Sequence, residues 1–158
     1  MTRTRRFAFV GSIIATILFG RVAVSSEPMQ HWDAFSTSAE GITGDIELSS
    51  SRIVFENGTV LKLMDVGSAP GIVAVGLYVA NAKIYRVMNP QNPLLLHGNR
   101  LCSEPVTYVA WVKLPIEPFD GLRLDPIMGR QLPRSNMSRD RLCGGFTFTR
   151  DRKGFTRK

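Results

Sequence analysis

The sequence predicts an all-β fold: a small antiparallel barrel or sandwich of about seven or eight short strands, tied by one disulfide and preceded by a cleaved export signal. Three observations predict it. Short runs of β-branched and aromatic residues separated by turn residues fill positions 42–150, and no 11-residue window there has helical periodicity. Asn57-Gly58 sits between two such runs, the strongest short hairpin signal. Cys102 and Cys143 are the two cysteines of the chain, and an even count in an exported protein argues for a bridge.

The export signal rests on the first 25 residues. Arg3, Arg5 and Arg6 precede an uncharged 13-residue stretch from Phe7 to Phe19, and Ala23 and Ser25 make a small-residue exit. A basic start, a short apolar stretch and such an exit form a signal peptide, with cleavage expected after Ser25. A spanning helix takes about 20 apolar residues, and Arg21 stops this run short of that. Thr4-Arg5-Arg6 resembles a twin-arginine signal, but Phe7 to Val10 fit that pattern loosely, so the general secretory route is expected. The mature protein is thus expected in the periplasm or outside the cell, meeting the membrane only during export.

Charge is unevenly spread. The formal net charge is +7, but residues 1–25 hold four of the 20 basic residues and none of the 13 acidic ones, which leaves +3 on the remaining 133 residues. From Arg130 onward nine basic residues face two acidic ones, while residues 26–129 carry a net −4. The basic tail, 151–158, has Phe155 as its one aromatic and no nucleic-acid-binding motif, so a solvated end is expected rather than a nucleic-acid contact.

Along the mature chain, residues 26–41 lack clear periodicity and read as an irregular lead-in with at most one helical turn. The β domain, 42–150, begins with a strand at 42–48, turned by Ser49-Ser50-Ser51. Residues 52–56 and 59–64 flank Asn57-Gly58, whose expected type I′ turn needs positive φ at both central residues. That register sets Phe55 opposite Val60 and Ile53 opposite Lys62 on one side, Val54 opposite Leu61 and Arg52 opposite Leu63 on the other. Residues 65–71 read as a loop. The apolar run 72–80 would pair with 83–88 across Asn81-Ala82 as a second hairpin. Pro90 and Pro93 break the ladder in 89–100, where Leu94, Leu95 and Leu96 need burial. Residues 107–114 make the clearest strand, with Tyr108, Ala110, Val112 and Leu114 on one face and Thr107, Val109, Trp111 and Lys113 on the other. Residues 115–142 carry one short strand at 122–124, and the last strand turns Phe146 and Phe148 inward. A Cys102–Cys143 bridge would tie the start of the Tyr108 strand to the start of the last.

Catalytic patterns are sparse. His31-Trp32-Asp33 sits in the unpatterned lead-in and reads as plain surface. No nucleophile elbow or nucleotide fingerprint occurs; Gly67 to Gly71 resembles the former only superficially. Neither zinc nor calcium ligand spacing occurs, so no metal and no cofactor is expected. Asp120 and Asp125 would support hydrolysis only if the fold brings them together. Asn57-Gly58-Thr59 and Asn136-Met137-Ser138 match the glycosylation pattern, and the turn already accounts for the first.

Binding remains. Val109, Trp111 and Lys113 form an exposed aliphatic–aromatic–basic strip if the Tyr108 face is the core, and Trp111 is buried if the sheet is covered on both faces. With His97 in the Pro-rich loop they make the candidate binding surface. The stretches GDIELS, RIVFENG, NPQNPLLLHGNRLC, TYVAWV and LCGGFTFT resemble a group of small exported bacterial proteins, a resemblance that implies no activity. At the level of fold alone, the signal, single disulfide and small β domain are similar to periplasmic inhibitors of animal-type lysozymes, which plug the enzyme's cleft with a surface loop; no residue here matches that loop. The expectation is a monomeric, non-enzymatic envelope protein that binds a protein, an envelope polymer or a small ligand. The alternatives are an envelope-polymer hydrolase or transferase with a site assembled only in the fold, an inhibitor of a lysozyme-like enzyme, or a structural module without a ligand.

Overall fold

The computed structural model describes residues 27–69, 72–74, 77–79, 82–116, 119–134, 137 and 139–150; the expected signal peptide and basic tail lie outside them. The strands are β1 (Gln30–Ala34), β2 (Ile46–Leu48), β3 (Arg52–Phe55), β4 (Val60–Ala69), β5 (Ile72–Ala74), β6 (Leu77–Val79), β7 (Ala82–Gln91), β8 (Val106–Ile116), β9 (Phe119–Met128) and β10 (Phe146–Thr149). Eight of them close an antiparallel barrel in the order β1-β10-β9-β8-β7-β4-β3-β2, and β5 pairs with β6 as a separate small hairpin. Closure leaves none of the eight barrel strands as an edge. A barrel of eight strands has an interior that side chains fill or that holds one small ligand.

Period-two alternation builds the core. Ile46, Ile53, Phe55, Leu61, Val87, Val109, Leu124, Phe146 and Phe148 all point inward and are buried. Outward positions carry His31, Glu47, Arg52, Lys62 and Arg86, charges that a lipid-facing band would exclude.

Several expectations need correction. The lead-in is not irregular throughout: Gln30 to Ala34 form β1, which pairs with both β2 and β10 and closes the barrel. The strand expected at 42–48 is shorter, because residues Ala39–Thr43 wind into a π-helical turn that Gly44 ends at φ 62°. The hairpin at Asn57-Gly58 is not type I′. The Gly58 N–H donates to the Phe55 carbonyl at 2.8 Å, the Phe55 N–H to Thr59 at 2.9 Å, and Gly58 has positive φ while Asn57 does not. This three-residue loop moves the register by one, pairing Ile53 with Leu61 and Arg52 with Lys62. The physical reason is burial: the expected register would put Lys62 beside Ile53 in the core, whereas the observed one collects Ile53, Phe55, Leu61 and Leu63 on the inner face.

Residues 65–69 are strand rather than loop, carried through a bulge where the Asp65 carboxylate accepts the Gly67 N–H at 2.8 Å. The 72–80 run does not pair with 83–88. It holds two short strands, β5 and β6, that pair with each other, and β7 pairs with β4 and β8 instead. Residues 119–128 form one long strand, β9, not a short one at 122–124. Pro90 falls where the β7–β8 ladder is interrupted, between Arg86 and Gln91.

Both faces of the β7–β8–β9 sheet are covered. The inner face belongs to the barrel core; the outer face carries a second cluster of Ala82, Ile84, Tyr108, Ala110, Val112 and Ile127. Leu142 and Met137, from the segment that crosses from β9 to β10, pack on that cluster. Arg141 anchors this strap by donating from Nε to the Met128 carbonyl at 2.8 Å, and the Cys143 N–H donates to Pro126 at 3.0 Å. The Cys102–Cys143 disulfide is formed, with Cα atoms 5.0 Å apart. It ties the strap to the loop before β8. At the same end of the barrel Leu95 and Leu101 are buried, and the Asn99 side chain donates to Gly41 at 3.0 Å, so the 92–102 loop and the π-helical turn close that end together.

Closing a loop of this length removes about 4 kcal/mol of unfolded-state entropy in the chain-entropy model. Reduction, or Cys102→Ala with Cys143→Ala, is therefore expected to lower Tm by about 10 °C or more. Thermal melts followed by circular dichroism with and without reductant check this; superimposable curves would show that the bridge adds no stability.

Candidate functional site

Among the described residues, no side-chain plug fills the end of the barrel opposite the Leu95–Leu101 cap. Three inward-facing rows reach it: Gln30 and Trp32 on β1, Lys83 and Tyr85 on β7, and Trp111 and Lys113 on β8. In each row the residue nearer the middle of the barrel is aromatic and the last one is polar or charged. Together with Leu48 and Leu122 they line a cavity of about 430 Å³. An adjoining cavity of about 440 Å³ shares Gln30, Trp32 and Lys113 and adds Asp120 and Arg150. Volumes of this order are usual for small-molecule sites, as is an apolar wall with a few polar groups.

The walls are held by aromatic contacts. Tyr85 and Trp111 lie on diagonal positions of β7 and β8, with ring centroids 4.2 Å apart and planes tilted by 34°. The Arg150 guanidinium sits 4.7 Å above the Trp32 ring and also donates to the Gln30 side chain. Burial raises the Tyr85 hydroxyl pKa above its usual value of 10.0, with a smaller push from Asp65, so the phenol stays neutral. Two buried side-chain donors among the described residues have no acceptor, Trp32 Nε1 and Trp111 Nε1. An unpaired buried donor costs about 1–3 kcal/mol, and both belong to this cup.

Two acidic groups near the cup are held by hydrogen bonds. The Glu27 carboxylate accepts hydrogen bonds from Ser50 and Ser51, which hold its pKa at about 2. Asp65 is taken up by the Gly67 N–H.

The expected binding strip is one face of β8, but it points into the barrel rather than out. Val109 is 0% exposed and offers no surface, Trp111 is half-buried in the wall, and Lys113 stands exposed at the rim. His97 does not join them. It sits exposed in the short turn Leu96–Gly98 at the capped end, with φ 54°. Asp120 and Asp125 are also kept apart: Asp120 borders the second cavity, while Asp125 lies 1% exposed on the outer face with the Arg123 Nε 2.9 Å from its Oδ1. Burial raises the Asp125 pKa and the Arg123 hydrogen bonds oppose it. Trp32, Tyr85 and Lys83 were not foreseen as site residues. Their signal is that Lys83-x-Tyr85-x-Val87 and Val109-x-Trp111-x-Lys113 each carry a charge at one end of an otherwise apolar face.

His31 is not plain surface. On the outer wall of β1 its Nδ1 lies 2.8 Å from Glu47 Oε1, and its Nε2 lies 3.4 Å from Asp33 and 3.8 Å from Asp45. Ligand atoms of His31, Asp33 and Asp45 fall within 4.8 Å of one another, a spacing that a divalent cation could share. Protonated His31 serves the same carboxylates without one.

No protein family matches this chain, no curated protein matches it, and no solved structure matches it.

The Glu47 hydrogen bond raises the His31 pKa above 6.5, burial opposes it, and the charges of Glu47, Asp33 and Asp45 add to the rise. A raised folded-state pKa means that His31 contributes stability fully below pH 6.5 and loses it as pH climbs through the raised value. Proton NMR titration should place the pKa above 6.5 in the wild type and lower in Glu47→Gln. Urea midpoints of wild type and His31→Gln should converge as pH rises; parallel curves would show that the pair adds nothing.

Proposed function

We propose that this protein is a non-enzymatic binding protein, exported to the periplasm or beyond, which takes a small molecule into the cavity at one end of its barrel. The carrying observation is the cup itself: an apolar, aromatic-walled cavity of about 430 Å³ at one end of a barrel that is sealed at the other. A barrel with no ligand would gain stability by filling that space with side chains. The disulfide fits an oxidising compartment. The hydrolase alternative loses its best carboxylate pair, because Asp125 is bound to Arg123 on the outer wall.

Trp32 and Trp111, the two tryptophans of the chain, both line the cup, so intrinsic fluorescence reports on this site. The neutral probe N-phenyl-1-naphthylamine is expected to bind saturably at one equivalent, with energy transfer from the indoles. Trp111→Ala should weaken it about tenfold while leaving the protein folded, since it removes one wall and the Tyr85 stack. Fluorescence titration beside a thermal melt is the check. Uptake that never saturates, or that survives Trp111→Ala unchanged, would set the reading aside.

A further inference from the structure

Resting on the cup as a ligand site, we infer that its ligand is a small amphipathic anion: an apolar aromatic or acyl body with one negatively charged headgroup held at the rim. Three observations carry this. The ionisable side chains lining the first cavity, other than the phenol of Tyr85, are Lys83 and Lys113, both on inward-facing rows. The second cavity adds Arg150 against Asp120, and Arg150 is already stacked on Trp32. Lys83 and Lys113 stand in a part of the chain, residues 26–129, whose net charge is −4, while Arg150 comes from the basic segment that follows. Asp33, Asp45 and Glu47 gather around His31 on the outer wall, and the two carboxylates whose charges reach Tyr85 are engaged, Glu27 by Ser50 and Ser51 and Asp65 by the Gly67 N–H.

Depth and chemistry agree in order. Going inward, an entering molecule meets ammonium groups, then indole and phenol rings beside the apolar side chains of Leu48 and Leu122. A headgroup at the rim keeps its charge near water and near two cations, while the body displaces water from the aromatic wall.

Two probes with the same aromatic body separate this inference from the one it rests on. 1-Anilinonaphthalene-8-sulfonate carries the negative charge, and N-phenyl-1-naphthylamine does not. The sulfonate should bind the wild type about tenfold or more tighter, with an affinity that falls as salt rises. Lys83→Gln with Lys113→Gln should weaken the sulfonate about tenfold or more and leave the neutral probe unchanged; both lysines are exposed, so Tm should not move. Displacement by 2-naphthoate or by decanoate then tells an aromatic from an acyl body. Equal affinity for both probes with no effect of the lysine changes, or displacement by the uncharged amides as effective as by the acids, overturns the anion assignment and leaves the cup intact as a binding site. Failure of both probes to saturate overturns the cup itself.

Discussion

Everything in this molecule hangs on the pairing of β1, near the start of the described chain, with the last strand. Asp33 pairs with Thr149 and Ala34 with Phe148, while Trp32 pairs with Ile46 on the other side. Without that seam the sheet would have two unpaired edges and no inside. With it, one face of every strand becomes interior, and the alternation that fills the core with Phe55, Phe146 and Phe148 also fixes which side chains look out of the mouth. The seam joins residues more than a hundred positions apart, so it carries a large loop-closure cost that only the finished core repays.

The two ends of the barrel have divided the work. One end is plugged by Leu95, Leu101 and the π-helical turn, and hydrogen bonds from Asn57 and Asn99 hold the plug. The other is left with charged residues on inward positions, which close packing forbids and solvent tolerates. The strap over β7–β9 adds a third layer, and the disulfide joins it to the plug. Stability is thus gathered away from the mouth, which leaves the cup free to be shaped by its guest.

Much of this could be read from residue order. The all-β class, the disulfide and the two-faced burial of the Tyr108 strand follow from local patterns. The eight strands of the barrel match the expected number, but β1 did not stand out, because Gln30 to Ala34 offer only Trp32 and Ala34 as apolar inward residues, too few to show a period. The Asn57-Gly58 register slipped because dipeptide preference and core burial point to different turns, and burial of Ile53 with Leu61 is the larger energy. The 72–80 run was mispaired because an apolar stretch with a central Gly76 looks the same whether it extends or folds back. The site was half legible: the Val109–Trp111–Lys113 strip was a real face, but no local pattern says which face of a strand a closed barrel turns inward. His31 was missed for a similar reason, since its partners Asp45 and Glu47 arrive from the neighbouring strand.

The barrel order is cyclic. Read along the ring, each strand is followed by its sequence neighbour, apart from the inserted β5–β6 hairpin, and β10 leads back to β1. Arg150 reaches across that seam to Gln30. A ring of this kind has no privileged first strand. Joining the ends and cutting instead in the exposed Ser50-Ser51 turn would give a rearranged gene that encodes the same set of strand pairings. The seam would then be an ordinary hairpin, and β2 with β3 would take over the task of sealing the wall.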